Sequence, residues 1–231
     1  MSNALTSFIS KANVPVLSDT ALADAIEQGQ QANNAAGRDS SGAQYLSFSG
    51  KTGIYALGQE KGEIDPDAMY LFEPMSLLAG WICWKNSKPV GRTEWSFYSG
   101  NPVKASELED HGPYDEGDGW KELLGFGCLA LDGTKAEIKF SSNAVSAKNS
   151  ITDLIEKVKV RSKAKEPALP VFSFGKEKFE AQGKWNFKPT LPVEAWVTRE
   201  ASALFFEGTF SMDDLLAGKK PTSAQLKKLA A

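Results

Sequence analysis

Histidine occurs once, at His111, and cysteine twice, at Cys83 and Cys128. One histidine excludes a His-based metal cluster, and the two cysteines lack the close spacing of a zinc site. Both sit in apolar strings, Trp-Ile-Cys-Trp and Phe-Gly-Cys-Leu, and read as buried free thiols of a reducing compartment. Any Ser-His-Asp or Cys-His nucleophile would have to use His111, which falls in an acidic loop and reads as solvated. Positive charge is not in excess either. Lys and Arg number 26 against 29 Asp and Glu, for a net charge of -3. That balance argues against a protein that coats duplex DNA non-specifically, and leaves room for a local basic groove on an acidic body. No apolar run reaches the length of a membrane span. Residues Met1 to Val16 lack the basic start and continuous apolar stretch of a signal peptide, so a soluble, cytoplasmic protein is expected.

What is present is ordinary globular material. Hydrophobic residues make up 42% and charged residues 24% of 231 residues, enough to bury a core. Two stretches invite chemistry and fail. Gly50-Lys51-Thr52 resembles the end of a phosphate-binding loop, but that loop needs a glycine five residues before its Gly-Lys pair, where Tyr45 stands. The acidic stretch Glu107, Glu109, Asp110, Asp115, Glu116 and Asp118 does not match the spaced ligands of a calcium loop and reads as solvated charge. The expectation is therefore no enzyme, no metal and no cofactor.

Three regions are expected. Residues 1–43 hold a short helix capped by Ser18 or Asp19, with Leu22, Ala25 and Ile26 on one stripe, fading into a polar linker. Residues 44–199 form a β-rich core domain. Its strands fall at Tyr45 to Ser49, Gly53 to Leu57, Ala68 to Phe72, Leu77 to Lys85, Gly91 to Tyr98, Leu124 to Leu131 and Ala136 to Phe140. An amphipathic helix over 146–161 follows, with Ile151, Leu154, Ile155 and Val158 at helical spacing. Further strands are expected at Val171 to Phe174 and Leu191 to Thr198, with Lys184 to Lys188 extended as well. Residues 200–231 read as a tail of short helical pieces, one started by Ser211 with Asp214 three residues on. The class is α+β, mainly β. Its order of several strands, a helix and more strands is that of an oligonucleotide-binding-like barrel.

The segment from Phe172 to Lys188 carries the functional argument. Lys176, Lys178, Lys184 and Lys188 interleave with Phe174, Phe179, Trp185 and Phe187, opposed only by Glu177 and Glu180. Cations that follow phosphates and rings that stack on bases are what single-strand binding uses. Gly175 and Gly183 predict a hairpin with lysines at its tip. The competing reading turns Phe172, Phe174, Trp185 and Phe187 into the core and leaves the lysines to solvate the hairpin. Strand alternation adds further candidates: Tyr98 shares a polar face with Arg92, and Trp196 shares one with Glu194 and Thr198. Trp81 and Trp84 fall on opposed faces, which predicts that at least one is exposed. The candidate nucleic-acid contacts are thus Arg92, Tyr98, Lys176, Lys178, Lys184, Trp185, Phe187, Lys188 and Trp196.

Three strings, Leu46-Ser47-Phe48-Ser49-Gly50-Lys51-Thr52-Gly53, Leu108-Glu109-Asp110-His111-Gly112-Pro113-Tyr114 and Val193-Glu194-Ala195-Trp196-Val197-Thr198, resemble those of uncharacterised proteins of tailed bacteriophages. Phage proteins of this size and layout include single-stranded DNA-binding replication proteins. The resemblance implies a host-cytoplasmic protein that coats single-stranded DNA in replication or recombination; self-association and contacts with replication or host proteins are further expectations. Such proteins often end in an acidic tail that recruits partners. This chain ends in Lys219-Lys220 and Lys227-Lys228, which puts that recruitment in doubt. The alternative is an interaction protein that binds a host or virion protein, as inhibitor or assembly factor, through the acidic loop and exposed aromatics.

Overall fold

Strand β7 (Gly119–Ala130) is the spine on which the other strands assemble. The structure is a computed structural model that describes residues 44–58, 62–181 and 183–229, without the side chain of residue 228. The helix and linker expected over 1–43 lie outside the described residues. Along one edge β7 pairs with β8 (Glu137–Ser142); beyond it come β1 (Gln44–Phe48), β2 (Tyr55–Leu57) and β3 (Gly62–Glu63). Along its other edge β7 carries two partners in tandem. Its first half pairs with β5 (Leu78–Lys85) and its end with β4 (Met69–Phe72). Beyond β5 lies β6 (Lys88–Ser96); beyond β4 lie β9 (Leu169–Ser173) and β12 (Val193–Val197). The β1–β8 contact is parallel, and the other ladders are antiparallel. The β5–β6 hairpin turns on Asn86 and Ser87, both at positive φ (52° and 61°), the backbone that a tight hairpin needs.

The tandem arrangement needs a break between β4 and β5. A 3-10 turn, Pro74–Ser76, supplies it. There the Ser76 hydroxyl stands in for a strand residue: it accepts from Gly127 N–H (2.7 Å) and reaches Glu73 O (2.6 Å). The Glu73 carboxylate is buried and meets Arg199 through both oxygens (2.9 and 3.3 Å) while also accepting from Met75 N–H (3.1 Å).

The sheet curls into a half-barrel, and glycine permits it. Gly80 on β5 and Gly125 on β7 lie on the same face of the sheet. A Cβ at Gly80 would fall 2.4 Å from Thr93 O, and one at Gly125 would fall 2.6 Å from Ser141 Cβ. The curl lets Arg92 on β6 cross to Ser141 on β8 (2.9 Å) and lie 5.9 Å over the Tyr45 ring on β1.

Two cores flank this sheet. On one side α1 (Val145–Lys163) buries Ala147, Ile151, Leu154 and Val158 against strand residues that include Phe126, Phe140 and Phe172. On the other side α2 (Arg199–Phe206) and α3 (Met212–Leu216) cover Leu71, Leu129, Val171 and Val197. Leu204 and Leu215 are fully buried, so this part of the expected C-terminal tail is a core layer. Lys135, in the β7–β8 turn, donates to Phe206 O at the C-terminal end of α2, where a cation is favoured. The last helix, α4 (Ser223–Leu229), also rests on α2. The mainly β, barrel-like α+β class is as expected. Strand β7 begins at Gly119, ahead of the strand expected from Leu124, because Gly119 to Leu123 pair with β5.

Candidate nucleic-acid interface

A separate two-stranded sheet, β10 (Gly175–Ala181) and β11 (Lys184–Thr190), stands off the half-barrel. Its register runs from Gly175↔Thr190 to Ala181↔Lys184. Residues directly opposite in an antiparallel pair share a face. The interleaved lysines and rings therefore separate into two sets. Lys176, Lys178, Trp185 and Phe187 share one face; Lys184, Lys188, Glu177 and Phe179 share the other.

On the first face each lysine covers a ring. The Lys178 ammonium lies 4.3 Å from the centroid of Trp185, and that of Lys176 lies 5.6 Å from Phe187. Such contacts hold the ring and cation in register at about 0.5–1 kcal/mol each when exposed. Trp185 remains 59% exposed, the most exposed tryptophan or phenylalanine among the described residues. On the second face Lys188 pairs with Glu177 (3.0 Å), an exposed bridge of about 0–1 kcal/mol that a phosphate can displace. Lys184 sits exposed beside the turn, where Gly183 takes a φ of 69°.

The root of the hairpin is fixed. Phe187 N–H donates to Gly50 O (2.8 Å), Ser150 Oγ on α1 donates to Pro189 O (2.6 Å), and Tyr55 OH donates to Gly175 O (2.8 Å). A Cβ at Gly53 would lie 2.7 Å from the Phe187 ring, so Phe187 is a half-buried wedge. Phe172 and Phe174 are buried in the core. The competing reading of this segment thus holds for those two rings and fails for Trp185.

The other sequence candidates lie elsewhere. Strand β6 stops at Ser96, so alternation does not carry on to Tyr98. Tyr98 instead leans on the core beneath α1 and donates its hydroxyl to Pro74 O (2.9 Å); burial, and secondarily the Glu73 charge, push its phenol far up. Trp196 lies under α1, with the Arg161 guanidinium 4.8 Å over its ring. A register shift between Val193 and Ala195 puts Val193 with Trp196 on that side. Arg92 is on the face of Gly80 and Gly125, paired with Glu94 (2.5 Å) and Ser141. Beside it is Tyr45, 54% exposed, which sequence reasoning missed although it alternates with buried Leu46. Neither Trp81 nor Trp84 is exposed; Trp81 Nε1 donates to Val103 O (2.8 Å).

Three carboxylates of the acidic loop accept from backbone N–H groups. Glu107 accepts from Lys104 N–H (3.2 Å), Asp110 from Gly112 N–H (2.9 Å) and Asp118 from Asn86 N–H (2.8 Å). His111 is half-buried beside Trp120, their rings 5.7 Å apart, where a solvated side chain was expected. Cys83 and Cys128 are buried and free, and burial pushes the Cys128 thiol up, away from the reactive thiolate. Among the described residues no group of three metal-ligating side chains occurs, and no helix is long and apolar enough to cross a membrane. No family model, curated protein or solved structure matches the chain.

Proposed function

We propose that the chain binds single-stranded DNA without sequence preference, using the outer part of the β10–β11 hairpin. The observation that carries this reading is Trp185: a large ring held by Lys178 at 4.3 Å, mostly in water, on a hairpin anchored at its root. A base stacks on the free face of the ring while Lys176, Lys178, Lys184 and Lys188 meet the phosphates on either side. The half-barrel goes with an oligonucleotide-binding-like fold, and the resemblance to phage proteins goes with a role in replication or recombination. Arg92, Tyr98 and Trp196 fall outside this contact, because each is engaged away from the hairpin.

Tryptophan emission tests the reading directly. Titration with poly-dT at low salt is expected to quench the wild-type protein, and Trp185→Phe is expected to lose most of that quench while keeping part of the affinity. Trp185→Ala is expected to weaken binding by about 1–3 kcal/mol. Absence of any complex in a gel shift at low salt would overturn the proposal. Recovery of one stoichiometric host protein, with no oligonucleotide affinity, would replace it with protein docking.

A further inference from the structure

The outer edge of the half-barrel at β6 has no strand partner among the described residues. Its hydrogen-bonding pattern follows from one contact. Phe97 N–H donates inward to Leu77 O (2.9 Å). Alternation then turns the backbone groups of Trp95, Thr93 and Gly91 inward to β5 and those of Ser96, Glu94 and Arg92 outward. The regular edge ends near Val90. There the register slips, with Cys83 opposite Gly91 and Trp84 opposite Pro89, and Pro89 has no N–H to offer.

We propose that this edge pairs with a second copy of itself, antiparallel, about a two-fold axis at Thr93. In that register Arg92 lies opposite the partner's Glu94, and Glu94 lies opposite the partner's Arg92. Both pairs are of the doubly hydrogen-bonded kind, because both residues point their N–H and C=O outward. The charges argue for self-pairing over any other occupant. Arg92 and Glu94 already touch within the chain (2.5 Å) and lie on one face, so two copies close a ring of four charges alternating in sign. The ends of the edge match as well: Phe97, 46% exposed, comes opposite the partner's Pro89, and Val90, 44% exposed, comes opposite the partner's Ser96. An edge of like charges would repel its copy; this one is complementary only to its own reverse. A two-fold pairing consumes the edge on both copies, so assembly stops at two. The hairpin β10–β11 lies on other strands, and the inference does not depend on what the hairpin binds.

Sedimentation equilibrium of the full chain is expected to give twice the 25.0 kDa chain mass. Arg92→Glu places Glu opposite Glu, and Glu94→Arg places Arg opposite Arg, so each variant alone is expected to be monomeric. Mixed together, the two are expected to re-form a heterodimer, because each opposed pair is again of unlike sign. Glu94→Pro, which removes an outward N–H that the chain itself does not use, is expected to give a folded monomer by far-ultraviolet circular dichroism. A wild-type monomer at the highest concentration the protein tolerates overturns the proposal. So do single variants that dimerise like the wild type, or a mixture of folded variants that stays monomeric.

Discussion

At the scale of the residue, the most consequential side chain outside the hairpin is Glu73. It is 1% exposed, accepts from Met75 N–H, and holds Arg199, the first residue of α2, through both oxygens. One carboxylate thus joins the 3-10 break between β4 and β5 to the helical layer on the far side of the sheet. Such a pair adds little net stability over an apolar substitute, yet removing one partner strands the other charge without water. Glu73→Ala is therefore expected to cost about 3–5 kcal/mol, read as a lower urea midpoint. Glu73→Leu combined with Arg199→Leu is expected to recover much of that loss. A single substitution costing under about 1 kcal/mol would show that the unpaired Arg199 finds solvent. Nothing in the sequence announces this pair. The partners are far apart in the chain, and a lone glutamate between Phe72 and Pro74 reads as a loop charge. Trp185 was legible only as a candidate, because its alternation with Phe187 fits a core face as well. Its neighbours Lys184 and Asn186 are polar, and no apolar residue shares its spacing until Phe187.

At the scale of the element, the hairpin and the curl of the sheet rest on different residues and fail differently. The lysines act one by one. Each phosphate neutralised on a single strand contributes about -0.7 to the slope of log affinity against log salt, so Lys184→Ala is expected to flatten that slope by about that amount without changing the fold. Glu177→Ala, which releases Lys188 from its bridge, is expected to tighten binding at low salt. A slope unchanged by either substitution would remove those lysines from the contact. The curl instead depends on space. A Cβ at Gly125 meets Ser141 Cβ at 2.6 Å and Phe140 O at 2.8 Å, so the two strands must separate to admit it. Gly125→Val is expected to cost about 1–3 kcal/mol in thermal or urea unfolding. The strands and the amphipathic helix were readable because period two and period 3.6 are written in their apolar residues. Helix α2 was legible only as one of the short helical pieces of the tail, not as a core layer: Ala201, Leu204 and Phe206 follow strand β12 after only Thr198, whose hydroxyl caps the helix through Ala201 N–H (3.2 Å). The direction of the curl was equally hidden, because a glycine inside a strand marks a close approach without saying to what.

At the scale of the whole molecule, the sequence conveyed the class and the hairpin but not how the faces are used. Alternation assigned Tyr98 and Trp196 to polar faces by extending β6 past its end and by treating each sheet face as either core or solvent. This sheet is covered on both sides, by α1 and by α2 and α3, so a polar neighbour on a strand does not imply an open face. That double coverage has a consequence for pH. Tyr55, Tyr70 and Tyr98 are tied into the core beneath α1, and burial is the first cause that raises each phenol. Tyr70 is pushed up to about 12 from the ordinary 10.0, helped by the nearby Cys128, Asp132 and Asp65, and the other two are pushed higher still. A phenol that stays neutral in the folded chain but ionises in the unfolded one stabilises the fold fully below pH 10.0, and that contribution is lost as pH rises toward the folded value. The urea midpoint is therefore expected to hold steady up to pH 10.0 and then fall through about 12, as tyrosinate absorbance emerges together with the loss of structure. Tyr55→Phe removes one of these titrations along with the bond to Gly175 O, so it is expected to lower stability at neutral pH and to shallow the alkaline fall. If tyrosinate absorbance instead rises fully near pH 10.0 while the fold persists, the three rings are open to water and the core beneath α1 is not closed as described.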